Sequence, residues 1–431
     1  MTRLRSHKGA SCGAHARIVT RVLVAAALCL IAAAAGAQTF SQRGFVDARG
    51  TGFFEKAPND QVQGIADLLF REEVFVKPAQ SDWLRLEAGV DFRANSHDQV
   101  EDEWRLDFED RGIRRPRVAV RRLAVVMTAG KLTVEAGKQF IRWGRADILN
   151  PTDRLAPRDY LNVLDADFLP VLGVRPTLQL GTESIEGVFV PRFTPSRLPL
   201  FNQRWTVLPP EAEAAGVRII DTGALVPDGS QQGVRWNHAG EKFEMALSFF
   251  DGFNHLATVL AEPRPGVLAV ALKRTYAALR SYGGDVAIPT AWFTLKGEAA
   301  YLQSPGHVNE DYVLYVIEIE RQVGEWVLVG GYAGDVVTTA RDAFRFAPDR
   351  GVARSILGRV SYTVDPRRTV SVEGAARQSG DGYYLKGEYS QAVGQHVRLT
   401  GAGVVLAGNQ ADFLGQFRRN SNVSGALRVS F

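Results

Sequence analysis

The last ten residues of the chain, Asn422–Phe431, read NVSGALRVSF and decide the fold. Alternate positions differ in polarity: one set is Val423, Gly425, Leu427, Val429 and Phe431, and the other is Ser424, Ala426, Arg428 and Ser430. Side chains two residues apart share a face of a strand, so this pattern predicts an amphipathic strand. At the open edge of a soluble sandwich the apolar face would promote aggregation, so we favour the alternative in which the strand closes a membrane barrel.

The same alternation recurs upstream, and the stretch Tyr312–Glu320 shows it well. One face carries Val313, Tyr315, Ile317 and Ile319, which we assign to lipid, and the other carries Tyr312, Leu314, Val316, Glu318 and Glu320. Apolar residues toward lipid and polar residues toward the lumen are typical of a transmembrane barrel. Leu314 and Val316 are exceptions, because both are apolar and the pattern points them inward.

Candidate strands follow one another along almost the whole chain. They are Gln42–Phe54, Asp67–Lys77, Trp83–Ala94, Arg114–Met127, Lys131–Ile141, Gly173–Gly181, Ser184–Val190, Gln232–His238, Glu241–Phe250, Val267–Arg280, Asp285–Leu295, Lys296–Gln303, Asp311–Arg321, Glu325–Asp335, Val352–Val364, Arg368–Gln378, Tyr383–Ser390, His396–Ala407 and Gly415–Phe431. These candidates number 19, and a bacterial barrel is expected to have an even number of strands. We predict an all-β fold, a single transmembrane antiparallel β-barrel of about 16 to 18 strands. The proline-rich stretch from Pro191 to Ser230 is predicted to be a long loop, with room for a short helix at Glu211–Ala215.

Residues 1–37 are predicted to be a signal peptide and residues 38–431 the barrel. A basic start is followed by an apolar run, Val22–Ala35, and by an Ala-Gly-Ala cleavage site, which is the order of a secretory leader; an N-terminal membrane anchor is the alternative. Five of the 51 basic residues and none of the 47 acidic ones lie in this leader, so the remaining chain is close to neutral and gives no evidence for a nucleic-acid partner. Both cysteines, Cys12 and Cys29, also lie there.

Between two of the candidate strands lies a long charged segment, residues 137–172, that lacks a regular period. A loop of this length in a compact domain is usually functional, and its aromatic residues argue against disorder. We predict that it folds into the lumen and forms a constriction. The predicted site residues are Arg142, Trp143, Arg145, Asp147, Asp153, Arg154, Arg158 and Asp159, with Arg117 and Arg121 from the preceding basic cluster. The alternative is that these charges pair with one another and with the wall and only brace the loop.

Metal binding and hydrolysis are less consistent with these residues. Asp147, Asp153 and Asp159 offer oxygen ligands to a divalent cation, but their spacing matches no standard calcium loop. The nearest approach to a hydrolytic cluster, Asn95-Ser96-His97-Asp98, is read as a polar hairpin loop. We therefore predict no enzyme activity, no catalytic residue, no metal and no cofactor.

The run GKQFIRWGRADILNPTDRLAPRDY, residues 137–160, resembles a signature of porin-like Gram-negative outer-membrane barrels, a largely uncharacterised family distantly like alginate-export-type barrels. The resemblance implies a channel in the bacterial outer membrane, for passive or facilitated diffusion of small polar solutes, and a basic lumen wall would favour anionic ones. It also implies contact with lipid and lipopolysaccharide, and recognition of the strand ending at Phe431 by the barrel-assembly machinery. The alternatives are an outer-membrane component of an export or envelope-assembly system and an outer-membrane hydrolase.

Overall fold

A computed structural model describes residues 37–79, 81–207, 215–341 and 348–431, and in these ranges the protein is a closed, antiparallel β-barrel. The 18 strands of the barrel are β1 (Ala37–Phe53), β2 (Gly64–Pro78), β3 (Leu84–Asn95), β4 (Val118–Ala129), β5 (Leu132–Gln139), β6 (Val171–Leu180), β7 (Glu183–Val190), β8 (Gln231–Ala239), β9 (Glu244–Phe253), β10 (Ala278–Pro289), β11 (Thr294–Gln303), β12 (Asp311–Val323), β13 (Trp326–Thr339), β14 (Ser355–Asp365), β15 (Arg368–Arg377), β16 (Tyr383–Val393), β17 (Val397–Ala407) and β18 (Asn422–Ser430). The predicted fold class is confirmed. Of the predicted leader, residues 1–36 lie outside the described ranges.

The barrel closes where its first and last strands meet. Strand β1 pairs with β18 from Phe45 opposite Ser430 to Phe53 opposite Asn422. Beyond that ladder, the backbone N–H groups of Gly44 and Phe431 each donate to the other residue's carbonyl oxygen at 3.0 Å. Every strand therefore has two neighbours, and no row of backbone groups is left unpaired in the way that a sheet edge leaves it.

The connections at the two ends of the barrel differ in length. The end that carries both chain termini has turns as short as Gly130–Lys131 and Gly324–Glu325. Both glycines have a positive φ, 58° and 56°, which a tight hairpin turn requires and which costs glycine little. The opposite end carries long connections, of which 140–170 and 191–230 are the most extended. Short turns at one rim and long loops at the other are typical of bacterial outer-membrane barrels.

Strand β12 confirms the predicted faces and explains the two exceptions. Ile317 and Ile319 are 54% and 48% exposed, whereas Leu314 and Val316 are fully buried. The buried pair belongs to one apolar cluster with Trp143 and other residues of the 140–170 segment. The inward residues are apolar because they pack against this segment, and water does not reach them.

Two predicted strand boundaries are wrong in one region, because Arg280 and Asp285, the predicted end and start of two strands, both lie inside strand β10. Val267–Arg280 and Asp285–Leu295 were predicted as separate strands, but Ala278–Pro289 is one continuous strand. A Cβ at Gly283 would lie 2.7 Å from Cγ2 of Thr152 in the long segment. The glycine marks a close approach of that segment to the wall and does not end the strand.

A small sheet lies outside the barrel ladder, and only its central strand, Ala269–Thr275, falls within a predicted strand, Val267–Arg280. It contains Arg218–Leu225 and Thr258–Pro263, each paired with the central strand Ala269–Thr275. The predicted final strand Gly415–Phe431 begins instead at Asn422, because Gly415–Asn420 forms a 3-10 helix.

A single helical turn, Pro348–Gly351, and three two-residue strands, Leu106–Asp107, Arg158–Asp159 and Asp167–Phe168, complete the described elements. Most of the helix predicted at Glu211–Ala215 lies outside the described residues. In the ranges that are described, no helix has the length and apolarity needed to cross a membrane.

Candidate functional site

The segment 140–170 is well packed although most of its backbone is irregular. Ile141, Trp143, Leu149 and Leu155 are buried and form one apolar cluster with wall residues of several strands. The wall residues involved, such as Leu314, are on the face opposite the exposed apolar band. The segment therefore has an apolar core of its own, shared with the inner side of the wall.

Two buried wall glutamates bind the backbone of the segment. Glu298 on β11 accepts hydrogen bonds from the N–H groups of Arg145 (2.7 Å), Ala146 (3.0 Å) and Thr152 (2.8 Å), and from the Thr152 hydroxyl (2.9 Å). Glu318 on β12 accepts the N–H groups of Asp147 at 2.7 Å and Ile148 at 3.2 Å. Hydrogen bonds to an ionised acceptor are stronger than neutral ones, so these carboxylates fix the turn at 145–152 against the wall.

Glycines allow the backbones to come this close. Gly144 has a φ of +108°, and a Cβ there would lie 2.9 Å from the Glu298 carboxylate. On strand β8, a Cβ at Gly233 would meet the Trp143 ring at 2.6 Å. The Trp143 indole N–H donates to Glu186 on β7 at 2.6 Å, so the ring is held both by its shape and by its polar atom.

Arg145 and Asp147 both engage the wall. Arg145 donates to Asp285 on β10 at 2.7 Å and also to Glu244 on β9. Asp147 accepts from Lys296 on β11 at 2.7 Å. For these two predicted site residues, the structure shows the bracing arrangement.

Asp153 lies at the centre of a small charged group. Its side chain is 1% exposed, and Oδ1 accepts the Trp143 backbone N–H at 3.0 Å. Arg142 and Arg158 approach Oδ2 at 3.8 and 4.0 Å, and their guanidinium carbons lie 3.9 and 4.3 Å from the centre of the Phe168 ring. Burial raises the pKa of Asp153 to about 6, although the N–H group and the arginines favour its charged form.

The pKa of Asp159 is shifted in the opposite direction to that of Asp153. Arg115 donates to the two carboxylate oxygens of Asp159 at 2.8 and 3.0 Å, and Arg197 donates to Oδ2 at 3.4 Å. Burial alone would raise the pKa of Asp159, but the charges of Arg115 and Arg197 outweigh burial and lower it.

A second buried segment, residues 193–205, contacts the first. Apart from its prolines, no feature of the sequence pattern predicts its burial. The Arg197 N–H donates to the Arg158 carbonyl at 2.9 Å, and the Tyr160 N–H donates to the Arg197 carbonyl at 2.8 Å. The Arg158 N–H donates to the Ser196 hydroxyl at 2.9 Å. What was predicted as a plain loop is thus part of the site.

The three remaining predicted residues lie apart from one another. Arg154 donates to the Pro151 carbonyl at 2.8 Å, within its own segment. Arg121 on β4 lies 3.7 Å from Asp91 and 4.6 Å from the centre of the Phe140 ring. Arg117 turns toward the loop before β4, where it donates to Asp102 at 3.2 Å. It does not line the cavity that lies between the segment and the barrel wall.

A cavity of about 750 Å³ lies between the segment and the wall formed by β1, β2, β3 and β18. Seven arginines line it: Arg49, Arg71, Arg93, Arg115, Arg154, Arg158 and Arg428. Five aspartates line it as well: Asp47, Asp67, Asp153, Asp165 and Asp167. Cationic side chains are therefore in excess in the lining.

Most of the cationic lining belongs to the wall and was missed by sequence reasoning. Arg49 donates to Oδ2 of Asp165 at 2.8 Å, and Lys386 donates to Oδ1 at 3.0 Å. Arg93 lies 3.5 Å from Asp167. The alternation within the candidate strands marks Arg49 and Arg93 as inward-facing, but it does not show that both reach the long segment.

Within the described ranges, no three His, Cys, Asp or Glu side chains are grouped so that they could hold a metal ion. His97, in the polar stretch predicted to be a loop, is buried with its Nε2 2.8 Å from Asp60. The segment 140–170 and the wall around it offer a solute hydrogen-bonding groups, charged side chains and an apolar surface.

Comparison with known proteins places this fold. No protein-family model matches the sequence, and no curated protein matches it. Among solved structures, OpdQ of Pseudomonas aeruginosa is similar with a TM-score of 0.54 and 10% identity over 91% of this chain and 97% of that one. A BenF-like porin of Pseudomonas fluorescens Pf-5 gives the same four values, and OccAB4 of Acinetobacter baumannii gives 0.55 and 9% over 92% and 98%.

These likenesses show that the chain has the fold of Gram-negative outer-membrane porins, and they support an outer-membrane location. The identities are low, so the likeness concerns the fold. The predicted relation to porin-like barrels is confirmed at that level, and the distant relation to alginate-export-type barrels stays a prediction.

Proposed function

We propose that this protein is an outer-membrane channel for the diffusion of small polar, chiefly anionic solutes, and that the segment 140–170 lies across its lumen and filters them. The observation that carries the proposal is the cavity of about 750 Å³, lined by arginines in excess over aspartates. A basic lining raises the local concentration of anions and lowers that of cations.

The contacts of the segment support its position across the lumen. Near its start it binds Asp285, Glu298 and Glu318 on β10, β11 and β12, and near its end it binds Arg49 and Arg93 on β1 and β3. In a closed ring of 18 strands, these two groups of strands lie on opposite sides. A chain that contacts the inner face of both must pass through the interior.

The charged residues divide into two roles under this proposal. Arg145 and Asp147 brace the segment, because each is engaged by wall residues of opposite charge. Arg154 and Arg158 face the cavity together with the wall arginines. The filter is therefore shared between the segment and the wall, and it works by charge and hydrogen bonding without a covalent step.

The outer surface completes the proposal. Its exposed apolar residues, such as Ile317 and Leu427, would contact lipid and lipopolysaccharide. The strand that ends at Phe431 would be recognised by the barrel-assembly machinery. No catalytic role is assigned to any residue.

Reversal potentials in planar bilayers under a salt gradient test the filter. The variant Arg49→Gln/Arg93→Gln/Arg158→Gln removes three cavity arginines, and we expect its selectivity to shift toward cations. The matched control is Arg264→Gln/Arg321→Gln/Arg367→Gln, which removes the same charge from exposed positions. An unchanged reversal potential in the first variant would contradict the anionic preference.

Deleting residues 144–167 tests the constriction. We expect discrete channels from the wild-type protein and a larger current from the deletion variant. Failure of both forms to conduct would refute the channel and favour the export alternative, whereas equal currents would refute the constriction alone.

A further inference from the structure

One acidic side chain, that of Glu72, lies on the outer face of the barrel without a charged partner. Its neighbours on strand β2 face the interior, where Arg71 donates to Asp91 at 2.7 Å. On the other side, Glu73 accepts from Arg43, also at 2.7 Å. Successive side chains of a strand point to opposite faces, so the Glu72 side chain points outward. Within the described ranges it forms no hydrogen bond and no ion pair, and its Oε2 is buried.

The last residue of the chain lies beside this carboxyl group. Gly44 on β1 is paired with Glu72, and it exchanges two backbone hydrogen bonds of 3.0 Å with Phe431. A Cβ added at Gly44 would meet both the Glu72 carboxyl group and the Phe431 ring, so these two groups lie together over the glycine. Phe431 is 51% exposed, and its ring stacks on Phe70 with 6.1 Å between the ring centres. The carboxyl group therefore lies in an apolar surface that faces the membrane.

The position of Glu72 along the barrel is the boundary between the apolar band and the rim. On one side, the exposed Val429 and Leu427 continue the outer face of β18. On the other side, the short turn between β16 and β17 contacts the end of β18, with Nδ1 of His396 2.8 Å from the Ser430 carbonyl oxygen. The rim with short turns faces the periplasm in bacterial outer-membrane barrels. Glu72 thus lies at the level of the phospholipid headgroups of the inner leaflet.

The chemistry of the missing partner follows from these surroundings. A carboxylate in an apolar environment is costly unless an opposite charge or a hydrogen-bond donor meets it. The nearby guanidinium groups of Arg43 and Arg71 are engaged on the inner face, so they do not supply it. The partner therefore comes from outside the chain, and it carries both a positive charge and N–H donors. A primary ammonium group on a phospholipid has both, and it reaches the protein from the side on which Glu72 lies.

We propose that Glu72 and Phe431 form a binding site for a phospholipid with a primary ammonium headgroup. The ammonium group donates to the Glu72 carboxylate, and the acyl chains lie along the exposed apolar side chains of β18. The site is at the seam where β1 and β18 close the barrel, so a bound lipid would cover this seam. The proposal depends on the membrane location of the barrel and is independent of the solute that passes through it.

Native mass spectrometry of the detergent-purified protein tests the site with two lipids that have the same acyl chains. They are dioleoylphosphatidylethanolamine and dioleoylphosphatidylcholine. Both headgroups carry a positively charged nitrogen, but only the ethanolamine headgroup has N–H donors. We expect the wild-type protein to bind the ethanolamine lipid with a roughly 10-fold lower dissociation constant, because one hydrogen bond to a charged group is made only with that lipid.

Two variants locate the site. Glu72→Gln keeps the shape of the side chain and removes its charge, so it should bring the dissociation constant of the ethanolamine lipid to that of the choline lipid. Gly44→Ala keeps the charge but adds a Cβ where the Glu72 carboxyl group and the Phe431 ring lie, so it should weaken the same preference. The matched control is Glu325→Gln, which removes an exposed glutamate from the turn between β12 and β13 at the same rim and should leave the preference intact. Heat-dependent gel migration shows that each variant is folded.

Three results would overturn the proposal. One is equal binding of the two lipids by the wild-type protein. Another is an ethanolamine preference that persists undiminished in Glu72→Gln. The third concerns the mass of the assembly, which the same spectra report: a wild-type oligomer that Glu72→Gln dissociates would show that a second copy of the chain, and not a lipid, contacts Glu72.

Discussion

The substitution Glu298→Gln should loosen the segment that we place across the lumen. In the wild-type protein, Oε2 of Glu298 accepts the N–H groups of Arg145 and Ala146, and Oε1 accepts the N–H group and the hydroxyl of Thr152. A glutamine has only one acceptor oxygen, and its amide nitrogen would face two donors. Two of the four hydrogen bonds are therefore lost, together with the negative charge.

The magnitude follows from the strength of such bonds. A hydrogen bond to a charged group contributes about 1.5 to 3 kcal/mol, so docking of the 145–152 turn should weaken by roughly 3 to 6 kcal/mol. We expect single-channel currents that are larger and that fluctuate between levels, because the segment is no longer held at the wall.

The assay is single-channel recording in planar bilayers, with heat-dependent gel migration as the check that the barrel is folded. The control is Glu135→Gln, a buried wall glutamate whose side chain pairs with Arg175 on the neighbouring strand and does not contact the segment. Currents from Glu298→Gln that match the wild type and this control in size and steadiness would refute the reasoning.

Three further predictions concern pH and packing. Burial raises the pKa of Asp153 to about 6, from the ordinary value of about 4 that the group has in the unfolded chain. The stabilisation that the protonated carboxyl group contributes is therefore present below about pH 4 and is lost as the pH rises through 6. Acidification from pH 7 to pH 5 neutralises the group. Reversal potentials should then show a stronger anion preference at pH 5, and Asp153→Asn should show that preference already at pH 7, without a pH step. Gly283→Val should displace the segment, since the added Cβ would lie 2.7 Å from Thr152, and a conductance equal to that of wild type would contradict this. Asp159→Asn leaves Arg115 and Arg197 without their shared anion, so the midpoint of thermal unfolding should fall measurably, whereas Asp228→Asn, which removes an exposed partner of Arg111, should leave it unchanged.

The wall of the barrel could be predicted from the sequence because it depends on local alternation. The faces of β12 and β18 follow from which residues are two apart, and the exposed Ile317 and Val429 lie where the pattern puts them. The prediction was wrong where a contact with a residue far away in the sequence interrupts the alternation. The predicted strands ended at Arg280 and resumed at Asp285, although the intervening Gly283 belongs to one continuous strand and makes room for Thr152, more than a hundred residues earlier in the chain.

The site was less predictable, because its contacts join residues that are far apart in sequence. The charges of the long segment were identified, but nothing local indicates that Glu298 would bind the backbone of Arg145, or that Lys386 would reach Asp165. The second buried segment was also missed. Phe193, Arg197 and other residues of this segment are buried by contacts with other loops. Such contacts leave no periodic pattern of polarity in the sequence.

The most direct test of the central claim is the accessibility of a single cysteine in the lumen. Both natural cysteines lie in the predicted leader, so Arg142→Cys would give a mature protein with one thiol at a position that is 54% exposed. A charged, thiol-specific methanethiosulfonate reagent should reduce the single-channel current in one step, while Val267→Cys, at an exposed hairpin tip, should react without changing it. Complete modification of the cysteine at position 142, confirmed by mass, with an unchanged current would contradict a segment that lies in the path of the solute.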